Sequence, residues 1–457
     1  MPSYSEIADE IAADIREARL KPGDRLPPQR DFAYERGIAT STAARVYAEL
    51  IRRGLASGEV GRGTFVRLAA SPGRPELTEP TALQIDLELN FPRVPEQDAW
   101  LTASLAQLME RGRDWQSSFE PTSARGTSSL RGLTAAFLSR SGFQIDPECL
   151  LFSGNGKQAI AATMAAALEP GDRLGVEALT YPFVKNFAQQ LGVRLVPLPM
   201  DKEGIAPNAI IDANRTTPLK AVYLQPTLHN PLGATLSERR RGQLAAELTS
   251  TGILAIEDAV YAFLDTAASP LRAMLPQQVV LIDSLSKRLT PGMTLGFILP
   301  PAHLQDRIAR ALHRGAWTAP AFAQNVCARW MADGTAARII EAKREAAATR
   351  QEIAGRWLGR FDLVSDPKAF HCWLRLPDPW RADTFVAAAA RRNIAISPAS
   401  AYSVVPGHVA NAVRIALSAP PLPVLSEALR ELVRILEKPD EALYAQQVKV
   451  PGSRSAA

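Results

Sequence analysis

Apolar residues recur at helical spacing near the start of the chain, at Ile7, Ile11, Ile15 and Leu20, and predict an amphipathic helix over residues 4–19. "KPGDRLP" then breaks that pattern with Pro and Gly. A second helical stretch, "PPQRDFAYERG", opens on proline and stops at Gly37. A third, "ATSTAARVYAELIRRG", opens on the hydroxyls Thr40, Ser41 and Thr42 and stops at Gly54. Two short helices across a tight turn form a helix-turn-helix, and "LASGEVGRGTFVR" adds a β-hairpin, a wing that turns at "GRG". Residues 1–67 thus read as one small unit. Residues 68–84 lose the apolar period, are rich in Pro and small residues, and read as a linker spanning about 20–24 Å.

From residue 85 to about 445, helical patterns alternate with short β-branched runs: "AVYLQPT", "ILAIEDAVY", "VVLIDSLS" and "LGFILP". That alternation predicts an α/β domain with a mostly parallel sheet, in which ligands gather at the carboxyl ends of the strands. The tail "QQVKVPGSRSAA" carries no periodic pattern and reads as disordered.

Composition narrows the class. With 457 residues, 46% hydrophobic and 22% charged, the chain has material for two or three globular domains. Cys149, Cys327 and Cys372 are scattered without metal-ligand spacing, which argues against a disulfide framework and fits a reducing cytosol. The first twenty residues hold acids and no apolar stretch, unlike a signal peptide. No run reaches the roughly 18 apolar residues of a membrane span, so the expectation is a soluble cytoplasmic protein without a membrane partner.

The net charge of +5 is unevenly placed. Residues 1–24 hold six acids against three bases, whereas residues 25–67 hold eight arginines against four acids. An arginine-rich helix-turn-helix and wing fit double-stranded DNA. Hydroxyls and open amides at the start of the third helix, at Thr40, Ser41 and Thr42, can take phosphates, and Arg45 one turn on can reach a base edge. Arg30 opens the preceding helix, and Arg62 with Gly63 forms the wing tip. A protein-interaction module with solvated arginines is the plainer reading of the same pattern.

In the larger domain, candidate chemistry falls at predicted strand ends. Lys287 follows "VVLIDSLS", where a desolvated amine can condense with an aldehyde, although a surface lysine looks the same in sequence. Asp258 ends "ILAIED" and as a buried carboxylate needs a cation, either an ion-pair partner or a pyridinium nitrogen. Tyr261 lies three residues on and can donate to a phenolate oxygen. Asn230 in "LHNPLG" can pair with the same oxygen or simply make an Asn-Pro turn. "LLFSGNGKQAIAATMAAAL" runs from strand through a glycine turn into a helix whose N-terminus can hold phosphate. Tyr181 can lie over an aromatic ring or belong to the core. Arg414, on the apolar strand "NAVRIALS", needs a carboxylate from a salt bridge or from a ligand.

Two resemblances order these residues. Residues 4–66, above all "GDRLPPQRDFA" and "GLASGEVGRGTFV", resemble the winged helix of GntR-type regulators, which implies DNA contacts by Arg30, Thr42, Arg45, Arg62 and Gly63. Thr40 departs from the pattern, standing where that family commonly has arginine. Residues 85–440 resemble the fold-type I aminotransferases through "NPLG", "EDAVY", "SLSK", "PGMTLGF" and "VRIALS". That likeness implies pyridoxal 5′-phosphate, with Lys287 as the internal aldimine, Asp258 on the pyridine nitrogen, and Asn230 and Tyr261 on the phenolic oxygen. It further implies Tyr181 on the ring, Gly156, Lys157, Gln158, Ser284 and Ser286 around the phosphate, and Arg414 on a ligand carboxylate. Two departures stand out. Thr294 replaces the family's phosphate-gripping arginine, for which Lys157 or Arg288 is the expected substitute. "FEPTSARGTSSLRG" keeps Gly126, Leu130 and Arg131 of a family segment but lacks its opening tyrosine.

The two parts in one chain resemble the MocR-type regulators. That implies a domain-swapped homodimer in which an amino compound or B6 vitamer, bound at Lys287, alters operator binding. The alternative is an aminotransferase acting on an amino acid, with the N-terminal module an addition. A third reading, a non-catalytic dimerisation scaffold, leaves the assembled coenzyme residues without a purpose.

Overall fold

The structure, a computed structural model, describes residues 3–17, 19–20, 24–53, 55–59, 63–66, 85–110, 118–140, 142–405 and 410–438. The predicted linker 68–84, the wing residue Arg62 and the C-terminal tail lie outside the described residues.

The N-terminal reader comprises α1 (Tyr4–Arg16), α2 (Gln29–Glu35), α3 (Thr40–Arg52) and the antiparallel hairpin β1 (Ala56–Glu59) and β2 (Gly63–Val66). α1 starts at a capping box, in which the Ser3 side chain accepts from the Glu6 amide and the Glu6 carboxylate accepts from the Ser3 amide. It ends three residues before the predicted stop, because the amides of Arg19 and Leu20 both fold back onto the Asp14 carbonyl. α2 stops before Gly37, which takes a φ of +61°. Ile7, Ile11, Leu26, Phe32, Val46, Tyr47 and Leu50 form the reader's core, and the Tyr47 hydroxyl donates to the Pro27 carbonyl at 2.7 Å. Leu50→Ala is expected to cost about 2–5 kcal/mol, as buried truncations do. The loss should show as a lower melting temperature of the full-length protein.

The chain divides into two compact units. One comprises Met1–Glu88, Ile353–Leu363 and Trp373–Ala457, and the other Leu89–Glu352 and Val364–Cys372. The second unit is built on a seven-stranded sheet. Its strand order is Leu151–Ser153, Gly296–Leu299, Val279–Ser284, Leu254–Asp258, Ala221–Leu224, Arg173–Glu177 and Arg194–Leu198. Only Gly296–Leu299 runs against the others, so the sheet is mixed and mostly parallel. Its central strands are buried along their whole length, as "VVLIDS" and "AVYL" demand. Val222, Leu224, Ala255 and Val279 pack with Leu244 and Leu248, while Phe152, Leu281, Phe297 and Leu299 pack with Leu130 and Trp330. Both faces of the sheet are therefore covered, and polar groups gather at its ends.

Within the first unit, Ala412–Ala416 pairs antiparallel with Ser397–Pro398, and Ile85–Asp86 pairs parallel with Ile394–Ala395. Among the described residues, no helix is long and apolar enough to cross a membrane, and no group of His, Cys, Asp and Glu has metal-binding geometry.

Candidate cofactor site and nucleic-acid interface

Three parallel strands end close together in the second unit. Leu254–Asp258 ends on the buried Asp258. Its Oδ2 accepts from Tyr223 Oη at 2.5 Å and Gln225 Nε2 at 3.2 Å, and its Oδ1 from the Val260 amide at 3.1 Å. Burial raises the Asp258 pKa, with the hydrogen bonds from Tyr223, Val260 and Gln225 pulling the other way. Burial and the Asp258 carboxylate likewise push the Tyr223 hydroxyl well up. Three neutral donors do not offset a buried negative charge, so this carboxylate suits a cation placed beside it.

Next in the sheet, Val279–Ser284 leads directly into a helical turn, Leu285–Arg288, that carries Lys287. Ser284 caps the turn: its Oγ accepts from the Ser286 amide at 3.0 Å. Ser284 Oγ and Ser286 Oγ are 2.8 Å apart, and Thr294 Oγ1 lies 2.9 Å from Ser286 Oγ and 3.5 Å from Ser284 Oγ. The threonine in the arginine's place thus completes a cluster of three hydroxyls. Helix Gly156–Ala167 begins against this cluster, since a Cβ on Gly156 would stand 3.2 Å from Ser284 Cβ. Asn155 Oδ1 accepts from the Gln158 amide, and the remaining amides of that helix start, with the three hydroxyls, form a cluster whose chemistry suits an anion.

Arg288 is already engaged within the chain. Its guanidinium is ion-paired with Asp283 and lies over the Phe263 ring, 5.2 Å from the centroid. Lys157 is exposed on the first turn of its helix, with Nζ 5.7 Å from the Phe183 ring centroid.

Lys287 Nζ donates to the Asn90 carbonyl at 2.6 Å and sits 3.5 Å from the Phe91 ring centroid. The Asn90 carboxamide donates to Tyr261 Oη at 2.9 Å and lies 3.3 Å from His371 Nδ1. Asn230 is buried, with its amide donating to Gln225 Oε1 at 3.2 Å. Tyr181 precedes helix Pro182–Gln190, its ring 6.1 Å from that of Phe183. Around these groups Asn90 Oδ1, Gln158 Oε1, Thr180 Oγ1 and Asn230 Oδ1 are buried without a hydrogen-bond partner, which a polar ligand would remedy. Asn90, Phe91, Tyr223, Gln225 and His371 escape the sequence reading. They come from three segments far apart in the chain, and although Tyr223 and Gln225 stand in "AVYLQPT", that run reads only as a strand.

Arg414 belongs to the other unit. It is buried on Ala412–Ala416, with Nε donating to Tyr402 Oη and a terminal nitrogen donating to the Glu88 carbonyl, both at 2.7 Å.

In the reader, α3 begins from Ala39, which supplies no side-chain cap. The hydroxyls of Thr40, Ser41 and Thr42 therefore belong to the first turn rather than capping it, and Thr40 and Ser41 are exposed. Arg36 pairs with Glu10, and Arg53 with Asp9 and Glu49, so these two arginines serve the fold. Arg25, Arg30 and Arg45 are exposed and make no ion pair among the described residues. Arg25 is a residue the motif reading missed. The Leu26 amide donates to the Thr64 carbonyl, which lays residue 25 beside β2. A Cβ on Gly63, whose φ is +120°, would meet Arg25 Nε at 2.8 Å. β2 therefore starts on glycine because of its left-handed backbone, and the Arg25 guanidinium lies against it.

Comparison with known proteins accounts for both halves. Residues 83–432 match the family described as aminotransferase class I and II, and residues 3–66 match the bacterial regulatory proteins of the gntR family. The protein named "Uncharacterized HTH-type transcriptional regulator YdeF", of Bacillus subtilis, is 30% identical over 95% of this chain and 95% of its own. The chain belongs to the MocR-type transcriptional regulators. This MocR-type regulator is also 26% identical, over 78% of each chain, to the HTH-type pyridoxine biosynthesis transcriptional regulator PdxR of Corynebacterium glutamicum. Its fold matches an archaeal alanine:glyoxylate aminotransferase with a TM-score of 0.71 and 21% identity, covering 78% of this chain and 91% of that one. The aminotransferase-like domain takes pyridoxal 5′-phosphate as its cofactor. The donor set fits that group: a lysine amine for an aldehyde, a buried carboxylate for a pyridinium, and hydroxyls at a helix start for a phosphate.

Proposed function

We propose that this regulator binds its operator as a homodimer and that a small amino compound or B6 vitamer, taken up at the Lys287 site, changes operator affinity. The observation that carries this reading is the union, in one chain, of an arginine-bearing winged helix with a lysine–aspartate–hydroxyl site. When bound, pyridoxal 5′-phosphate supplies an aldehyde that condenses with an amine, losing one water, and a ring that accepts electrons. Lys287 provides the amine. Asp258 would serve the ring nitrogen, Asn230 and Tyr261 would serve the phenolic oxygen, and Tyr181 would serve the ring face. Ser284, Ser286, Thr294 and the amides of the helix from Gly156 hold the phosphate, with Gln158 and Lys157 beside them. With an effector amine bound in its place, the Lys287 side chain would change its charge and contacts, and that change would alter how two readers are presented to two half-sites.

On DNA, Thr40, Ser41, Thr42 and Arg30 take phosphates, Arg45 reads a base edge, and Arg62 and Gly63 enter with the wing. Arg45→Ala should cost about 1–3 kcal/mol and relax sequence preference at one position. Arg25→Ala should weaken binding to all sequences alike and lower the slope of log affinity against log salt by about 1.

The test is binding of the purified, cofactor-loaded protein to DNA upstream of its own gene against scrambled DNA at fixed salt. A preference of about a thousandfold is expected, altered by an amine or B6 compound from a panel. Equal, salt-sensitive binding to both DNAs would reject the regulatory reading in favour of an aminotransferase, to be pursued with amino donors.

A further inference from the structure

A second lysine lies behind the first. Lys343, on helix Thr335–Leu358, is fully buried, and its Nζ donates to the carbonyls of Lys287 at 3.1 Å and Leu289 at 2.5 Å. Those carbonyls close the C-terminal end of the helical turn Leu285–Arg288, where a helix leaves acceptors unsatisfied and favours a cation. Ser284 already fixes the opposite end of the same turn. We propose that Lys343 is a positioning residue for Lys287, fastening the backbone from which the reactive amine projects to the long helix Thr335–Leu358.

The argument is one of cost. Burial, with a smaller contribution from Arg93, lowers the Lys343 pKa to about 7, so an ammonium here is held at a penalty. A methionine would fill the same volume with no charge to desolvate. What the amine adds is a pair of donors aimed at two carbonyls on either side of Arg288. With both ends of the turn held, the Lys287 side chain starts from a fixed point, and precise placement of a reacting group is what a loose backbone loses first. This inference rests on the reading of Lys287 as the cofactor's attachment point.

The experiment uses the full-length protein, wild type, Lys343→Met and Lys343→Gln. Three quantities are measured: melting temperature without cofactor, Kd for pyridoxal 5′-phosphate, and the fraction of Lys287 modified after borohydride trapping at saturating cofactor, counted by peptide mass. For Lys343→Met, Kd should rise by about tenfold and the trapped fraction should fall even at saturation. Lys343→Gln, which keeps a donor, should lie between. Wild-type Kd and trapping in both variants would overturn the proposal, even with a lower melting temperature, because Lys343 would then serve only the fold. If the methionine variant does not fold, the glutamine variant decides alone on the same criterion. If wild-type Lys287 itself is not trapped, the reading of the site fails and takes this role with it, whereas trapping that is intact and unchanged by the variants removes Lys343 alone.

Discussion

Lys287→Ala should leave the protein folded and its DNA-binding surface intact, but unable to hold pyridoxal 5′-phosphate covalently. The half-buried amine donates to the Asn90 carbonyl and rests on Phe91, and alanine removes both contacts without touching the caps of its turn. The hydroxyl cluster and the helix start remain, so phosphate recognition survives while the bond at the other end of the cofactor is lost. Retention should weaken by on the order of a hundredfold, about 3 kcal/mol. Borohydride trapping should give no adduct on residue 287, and the response of operator binding to amines should vanish. An alanine variant that still responds to the same amines would place effector binding elsewhere in the molecule.

Asp258→Asn is expected to have opposite effects with and without cofactor. With cofactor, the charge-assisted contact to the ring nitrogen is lost, worth about 1.5–3 kcal/mol, or about ten- to a hundredfold in Kd. Without cofactor, the carboxylate is a burden. Burial raises its pKa, so the folded state favours the protonated form, and stability contributed at low pH is lost as pH rises from the ordinary carboxylate range through the raised folded value. Asparagine carries no such charge. Cofactor-free Asp258→Asn should therefore match or exceed wild-type stability at neutral pH and show a flatter dependence over that window. Urea titrations at several pH values, with and without cofactor, read both halves. A variant less stable than wild type at neutral pH without cofactor would mean that the acceptors offered to Tyr223 and Gln225 outweigh the charge.

The Lys343 strut and the Asn90–Tyr261 contact share a feature: each joins groups from distant segments. Asn90 lies 171 residues from its partner Tyr261, and Lys343 lies 54 residues from Leu289. Such pairs leave no mark on local spacing. A side chain's neighbours across a fold depend on strand order and crossover, and neither is written in periodicity.

What the sequence determined by itself is local or motif-borne. Apolar spacing placed the three reader helices, because one-sided burial imposes a period of 3.6 on a helix, and continuous apolar runs placed the central strands, which are buried on both faces. The order of "NPLG", "EDAVY", "SLSK" and "VRIALS" named Asn230, Asp258, Lys287 and Arg414 as candidates. Only the tertiary structure decided which charges are committed and which polar groups converge. It turned Arg288 onto Asp283, joined Thr294 to Ser284 and Ser286, paired Arg36 and Arg53 with acids, and laid Arg25 against Gly63. The physical reason is that an arginine's reach covers several candidate partners. Which one it takes is set by where packing of the sheet and helices brings carboxylates and hydroxyls, and that is fixed only when the whole chain has folded.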